Sequence, residues 1–264
     1  MTRSPLTWIG GKYYLAKKLV ELFPPHHLYV EVFGGAAHVL FRKEPSPVEI
    51  YNDIDGRLVN FFRVVQDKEK CEQLCDMLRG TLYSREIFEE CRDNLNVGDD
   101  VTRAFRFAVA NKQSFGAKMG TWGVAFQSTK NPTSAFRNMP QSIESAFQRL
   151  SDVGIENSSF EYILNRYDRG DTFFYLDPPY PFVGERSEER QYEHEMTNDD
   201  HARLVAQLLT LKSKAMLSGY DTPLYAPLEE AGWTKVHIGD SAMSIKLESG
   251  TQRSTKREFV WINY

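Results

Sequence analysis

A chain of 264 residues with a formal net charge of −4 and an ordinary content of apolar and charged side chains is long enough to bury one α/β core with an insertion, but too short for two large independent domains. No apolar run reaches the length that spans a bilayer and the N-terminus lacks a signal-peptide pattern, which argues against a membrane or secreted protein. Three cysteines, Cys71, Cys75 and Cys91, clustered in one helical stretch, suit a reducing cytoplasm and offer no further close ligands for zinc.

The first element is the stretch Pro5-Leu6-Thr7-Trp8-Ile9-Gly10-Gly11-Lys12, followed by an amphipathic helix with Tyr14, Leu15, Leu19, Val20 and Leu22 on its apolar side. A Gly-Gly pair between an aromatic and a lysine lets both side chains fold over a small ligand. Next, Leu28 to Val32 reads as a buried strand that runs through Phe33-Gly34-Gly35-Ala36-Ala37 into an expected helix start at His38-Val39-Leu40-Phe41. Small residues there allow a ligand to approach the backbone closely. Val48 to Asn52 is a second strand, ending in Asp53-Ile54-Asp55. An acid about 20 positions after a glycine turn is where a nucleotide ribose finds an acceptor, and Asp53 fits that place.

The chain between this strand and the next clear one is far too long for a simple crossover. Helical patterns fill it at 58–65, 71–78, 85–94, 101–110 and 140–150, so residues 57–151 read as an inserted, mostly helical domain between catalytic segments 1–56 and 152–264. Within it, 111–138 breaks the helical period and is rich in Gly, Ser, Thr, Asn and aromatics, which predicts a projecting β-hairpin or ordered loop. From Val101 to Ile143 there is no acidic residue, although the chain as a whole is acidic. Asn111, Lys112, Gln113, Lys118, Lys130 and Arg137 are the residue types that read base edges and hold phosphates. Acidic residues gather instead at 185–200, a segregation that suits one face made for a polyanion.

Thr172 to Leu176 is an apolar strand that ends in Asp177-Pro178-Pro179-Tyr180. Proline fixes φ and removes a donor, so the turn is stiff and its carbonyls point away from the sheet ladder. The Asp177 carboxylate and the Pro178 carbonyl then form a pair of acceptors matched to an exocyclic amine, and Tyr180 is a stacking face for the heterocycle that carries it. Beyond it lie a polar loop to Met196, a helix capped by Thr197 or Asn198 and running through Leu211, a strand at 214–220, and two last strands at 232–238 and 257–264. A mobile turn at 249–253 joins the last pair. Tyr192 and His194, in the polar loop, are placed to close over a bound base.

Trp-x-Gly-Gly-Lys, Glu-x-Phe-x-Gly, Asn-Asp-Ile-Asp and Asp-Pro-Pro-Tyr, in this order and across nearly the whole chain, resemble the Dam-type adenine-N6 DNA methyltransferases. The resemblance implies a Rossmann-like methyltransferase sheet with helices on both faces and an inserted target-recognition domain. It implies S-adenosyl-L-methionine as cofactor, with Trp8 and Lys12 contacting it, Phe33 and Gly35 lining its amino-acid end, Asp53 taking the ribose hydroxyls, and Asp177 facing both cofactor and target amine. Asp177, Pro178 and Tyr180 are the expected catalytic set, and Asn111, Lys112, Gln113, Lys118, Lys130 and Arg137 the expected DNA-binding set. The expected partner is double-stranded DNA, with no membrane and no metal, for a bacterial or phage-encoded cytoplasmic enzyme acting as a monomer or weak dimer. Any nuclease partner is expected on a separate protein. Ala37 departs from the pattern, which usually has glycine there. Cytosine-N4 transfer is the nearest alternative reaction, and a transfer-silent DNA-binding module the alternative of another class.

Overall fold

The computed structural model describes residues 2–124, 131–181, 194–242 and 255–264, with the side chains of 241, 242, 255 and 256 excepted. Its strands are β1 (Leu28–Glu31), β2 (Val48–Asn52), β3 (Val153–Glu156), β4 (Thr172–Leu176), β5 (Lys214–Tyr220), β6 (Thr234–Ala242) and β7 (Thr255–Ile262). They form one seven-stranded sheet in the order β3-β2-β1-β4-β5-β7-β6. Neighbours from β3 to β5 are parallel, whereas β7 pairs antiparallel with both β5 and β6. All five residues of β4 are buried, as a parallel strand covered on both faces requires.

The helices are α1 (Ala16–Glu21), α2 (Gly56–Gln66), α3 (Lys68–Arg79), α4 (Arg85–Asp93), α5 (Asp100–Gln113), α6 (Pro132–Arg137), α7 (Met139–Leu150), α8 (Phe160–Tyr167), α9 (Asn198–Leu208) and α10 (Ala226–Glu230). One apolar cluster joins Tyr29, Tyr51 and Phe173 of the sheet to Phe61 and Phe62 of α2, Phe107 of α5 and Ile143 of α7. A second, on the other face, joins Val30, Phe174 and Leu217 to Ile163 of α8, Leu204 of α9 and Trp261 of β7. Helices therefore cover both faces, and the long helical segment between β2 and β3 shares its core with the sheet. Among the described residues, no helix is long and apolar enough to cross a membrane.

A buried charge cluster ties the helical segment to the sheet edge. Arg149 of α7 grips Glu49 of β2 with two nitrogens, at 2.5 Å to Oε2 and 2.9 Å to Oε1. Lys43 reaches the same carboxylate, and also donates to the Glu44 carbonyl at 2.8 Å and Ser46 Oγ at 2.7 Å.

Several local expectations change: α9, expected through Leu211, ends at Leu208, and the strand expected at 232–238 is β6 at Thr234–Ala242. His38 to Phe41 is not a helix start: hydrogen-bonded turns replace it, with Phe41 N donating to the Ala37 carbonyl at 3.0 Å and Lys43 N to the Val39 carbonyl at 3.0 Å. Val39, Leu40 and Phe41 are all buried, and an apolar run buried on every side carries no helical period to enforce a helix. Helix α5 continues through Gln113 rather than stopping at Ala110. Part of the segment taken as non-helical is α6, capped by Asn131, whose side chain accepts from Thr133 N. A single antiparallel bridge, Ser114 with Trp122, closes the turn before it.

Candidate active site

The carboxyl ends of β1, β2 and β4 lie side by side, so the three loops that leave them converge on one edge. Asn52 fastens that edge: its amide donates to the carbonyls of Val32 at 2.8 Å and Ser158 at 3.1 Å, and accepts from Ser158 N at 2.9 Å. A buried amide with every partner filled fixes where the loops leave the sheet.

Over β1 and β2, Gly35 N donates to Asp53 Oδ2 at 2.7 Å and Asp55 N to Asp53 Oδ1 at 2.8 Å. Burial pushes the Asp53 carboxyl up to about 6, against the two backbone donors that lower it. Each oxygen keeps a lone pair for an incoming hydroxyl. Tyr51, fully buried, donates its hydroxyl to the Gly35 carbonyl at 2.8 Å. A Cβ at Gly34 would sit 2.1 Å from the Tyr51 ring, while one at Gly35, whose φ is +49°, would sit 3.0 Å from the Trp8 indole. The bare backbone thus lies between Tyr51 beneath and Trp8 above. Ala37 has a φ of 56°, so the alanine that replaces the usual glycine occupies a left-handed position and is fully buried. Phe33 packs beside Phe160, with centroids 5.9 Å apart.

This packing predicts that Gly34→Ala destabilises the protein by about 1–3 kcal/mol or more, because the Tyr51 ring has nowhere to move. Thermal denaturation checks it, and an unchanged midpoint would contradict the close approach.

At the end of β4, Lys12 Nζ stands 2.8 Å from Asp177 Oδ1, 3.8 Å from Glu258 Oε2 and 4.7 Å from the centroid of the Tyr180 ring. It also donates to the Gly10 carbonyl at 3.0 Å, which closes the glycine turn. The Lys12 contact with Asp177 is a close ion pair, and the Tyr180 hydroxyl also reaches the Asp177 carboxylate. Burial raises the Asp177 carboxyl above its ordinary range and Glu258 adds to this, while Lys12 opposes both. Tyr180 directs its hydroxyl at Glu258 Oε2, 3.3 Å away, and its ring meets Tyr220 edge-on at 4.4 Å.

Glu31 lies between the two clusters. Burial lifts its carboxyl to about 8, opposed by a 2.7 Å hydrogen bond from the Tyr29 hydroxyl, and the charge of Asp177 adds to the rise. A carboxyl whose folded pKa exceeds its unfolded value binds more protons when folded. Its contribution to stability is full below about pH 4.5 and is lost as pH rises toward 8. Wild-type stability should therefore fall between about pH 6.5 and 8, and Glu31→Gln should flatten that fall by up to about 2 kcal/mol. Denaturant melts at the two pH values test this, and equal slopes for the two proteins would contradict it.

The sequence-derived residues thus fall into two neighbouring groups, Trp8, Gly35 and Asp53 in one and Lys12, Asp177 and Tyr180 in the other, with Phe33 beside the first. The candidate DNA set divides differently. Asn111 is buried and closes a double hydrogen bond with Thr7, donating to its carbonyl at 2.7 Å and accepting from its nitrogen at 3.1 Å. Gln113 is buried as well, accepting from Ser84 N at 3.0 Å and donating to the Leu82 carbonyl at 3.0 Å. Both amides are spent on the protein's own backbone. Lys112 donates to the Pro5 carbonyl at 3.2 Å; Lys118 and Arg137 are exposed. Lys130 and Tyr192 lie outside the described residues. His194 is described, close enough to Asp53 for its charge to act on that carboxyl.

Glu258 carries no motif that marks it in the sequence, since only the fold brings β7 against the Asp-Pro-Pro-Tyr turn; Glu31 opens the Glu-x-Phe-x-Gly motif, but no role was expected of it. An open α/β sheet with an acid, a proline pair and an aromatic ring at its carboxyl edge, next to a glycine turn held by a second acid, has the layout of a nucleotide-binding α/β enzyme. Residues 8–237 match the model of the D12 class N6 adenine-specific DNA methyltransferases, and the chain belongs to that family.

The chain is 28% identical over 255 residues to the type II methyltransferase M.MjaIII of Methanocaldococcus jannaschii, covering 85% of this chain and 87% of that protein. It is 25% identical over 249 residues to the type II methyltransferase M.CviBI of Paramecium bursaria Chlorella virus NC1A, covering 88% and 92%. The modification methylase StsI of Streptococcus sanguinis is 24% identical over 194 residues, which cover 67% of this chain and 28% of that larger protein. Family and relatives make this chain an adenine-specific DNA methyltransferase. They do not favour cytosine-N4 transfer or a transfer-silent binding module.

Proposed function

We propose that the protein transfers a methyl group from S-adenosyl-L-methionine to the exocyclic N6 amine of an adenine turned out of duplex DNA. The observation that carries the reading is Asp177, a half-buried carboxylate paired with Lys12 beside a proline carbonyl and an aromatic ring. The glycine cradle between Tyr51 and Trp8, with the Asp53 carboxylate beside it, has the shape and acceptors for a nucleoside cofactor. Trp8, Phe33, Gly35 and Asp53 would hold it, with Lys12 at the border of the two groups. Bound there, S-adenosyl-L-methionine supplies an electrophilic methyl on a sulfonium.

The amine of adenine is a poor nucleophile because its lone pair is delocalised into the ring. Asp177 and the Pro178 carbonyl each accept one N–H bond, which favours a pyramidal nitrogen and localises that lone pair. Tyr180 stacks on the base. In gaining the methyl that the sulfonium would give up, N6 must shed one proton, and the Asp177 carboxyl would be the group beside it to accept that proton. Positioning supplies the remainder of the rate. The helical segment at 57–151 serves as the target-recognition unit, with exposed Lys118 and Arg137 reserved for phosphate, while Gln113 braces the unit internally and Asn111 ties it to the N-terminal segment at Thr7.

Calorimetry with S-adenosyl-L-methionine tests the cofactor half. Wild type should bind, and Trp8→Ala and Asp53→Ala should each weaken binding by about tenfold or more. No binding by wild type, or unaffected variants, would overturn the placement.

A further inference from the structure

The Asp-Pro-Pro-Tyr turn poses a problem of support. Two successive prolines give it no backbone donors of their own at 178 and 179, yet its carbonyls must hold a fixed direction for the Pro178 oxygen to meet an amine. Support has to come from side chains outside the turn.

His201, in the first turn of α9, is fully buried against this turn. Its Nδ1 is 3.0 Å from the hydroxyl of Tyr225, the two rings meeting edge-on at 5.8 Å. The imidazole also reaches the backbone carbonyl of Pro179, while Nε2 closes no hydrogen bond of good geometry among the described residues.

Tyr225 is itself immobile. Its ring fills the space at Gly219 of β5, where a Cβ would come within 2.7 Å of it, and packs edge-on against Trp261 of β7 at 5.0 Å. Trp261 is tied in turn to Glu229 Oε1 at 3.0 Å. A rigid series thus runs from the sheet through Tyr225 to His201 and on to the turn.

We propose that His201 is a positioning residue for methyl transfer: Tyr225 donates to Nδ1, which leaves the single ring proton on Nε2, and that N–H holds the Pro179 carbonyl and so aims the neighbouring Pro178 carbonyl at the target amine. The donor on one nitrogen sets the tautomer of the other. Burial, the largest influence, holds the imidazole down to about 4, so the ring is neutral at physiological pH and has one N–H to give. A contact still open in the free enzyme tightens when substrate closes on the turn. The inference rests on the reading of the turn as the seat of the target amine.

The test is single-turnover methyl transfer to unmodified plasmid DNA at saturating S-adenosyl-L-methionine, with cofactor affinity and thermal midpoint measured alongside. His201→Phe keeps the ring and removes both nitrogens; its transfer rate should fall by about 10–100-fold with cofactor affinity unchanged. His201→Gln, whose amide nitrogen falls near the Nε2 position, should recover most of the rate. His201→Asn, whose shorter amide reaches Tyr225 and not Pro179, should stay slow, and Tyr225→Phe should fall between.

A wild-type rate in the Phe variant would overturn the inference. If the Phe variant does not fold, equal rates for Gln and Asn would overturn it just as directly, since packing alone would then explain His201. Absence of transfer by the wild type would overturn the reading of the turn and the inference together, whereas wild-type transfer with insensitive variants would overturn the inference alone.

Discussion

Asp177→Ala is expected to lower methyl transfer by about a thousandfold or more while leaving the fold intact. The two halves of that expectation have separate causes. In the proposed mechanism the carboxylate is the charged member of the acceptor pair and the group that takes the proton, so its loss removes polarisation and the proton acceptor at once. Stability should hold, because the burial that raises this carboxyl already opposes its charge, and Lys12 keeps Glu258 as a counter-charge at 3.8 Å and the Gly10 carbonyl as an acceptor. Asp177→Asn should lie between, since its amide keeps one acceptor oxygen and loses the charge. Parallel thermal melts and single-turnover assays check both halves. An alanine variant that transfers within about tenfold of wild type would remove Asp177 from the chemistry.

The second large effect is on stability and lies far from the amine. Removing Glu49 leaves Arg149 and Lys43, both largely buried, as like charges with no carboxylate between them. Breaking a buried pair from one side typically costs about 3–5 kcal/mol, and the expected fall in the thermal midpoint of Glu49→Ala is about 10 °C or more. Burial alone would raise the Glu49 carboxyl, but Arg149 and Lys43 together hold it below the ordinary range. Its stabilising contribution is therefore present above the unfolded pKa and is lost as pH falls through the folded one. Replacing Glu49, Lys43 and Arg149 together with apolar residues of similar size should recover most of the loss. Because Arg149 sits on α7 and Glu49 on β2, Glu49→Ala should also loosen the helical segment against the sheet, visible as faster amide exchange in α7.

Strands with strong local signals were legible in the sequence. β2 and β4 are apolar runs rich in aromatic or branched residues whose polar exits carry Asp53 and Asp177, and β5 is a short apolar run that ends at Ser218 and Gly219. β3 was not: four residues containing a glycine, with only Val153 buried, have no alternation to detect. The start of α9 was legible as a cap at Thr197 or Asn198, and the structure settles on Thr197, whose side chain forms a full capping box with Asp200 three residues on.

Asn111 and Gln113 show where a polar residue misleads. Each follows a buried residue of α5 by four positions, Phe107 and Val109 respectively, so extending the helical period past Ala110 would have turned both inward. His201 carries a similar trace, since it shares one helical face with the buried Leu204, Val205 and Leu208. The meeting of Lys12 with Asp177 and Glu258 had no local trace at all. It depends on an N-terminal turn, the end of β4 and an antiparallel final strand reaching the same sheet edge, which only the assembled topology decides.

The measurement closest to the central claim is the identity of the modified base. Purified protein, unmethylated DNA and S-adenosyl-L-methionine should yield N6-methyladenine confined to one sequence context, detected by nucleoside mass spectrometry and long-read mapping and lost with Asp177→Ala. N4-methylcytosine, or no methylated base despite DNA binding, would contradict the account.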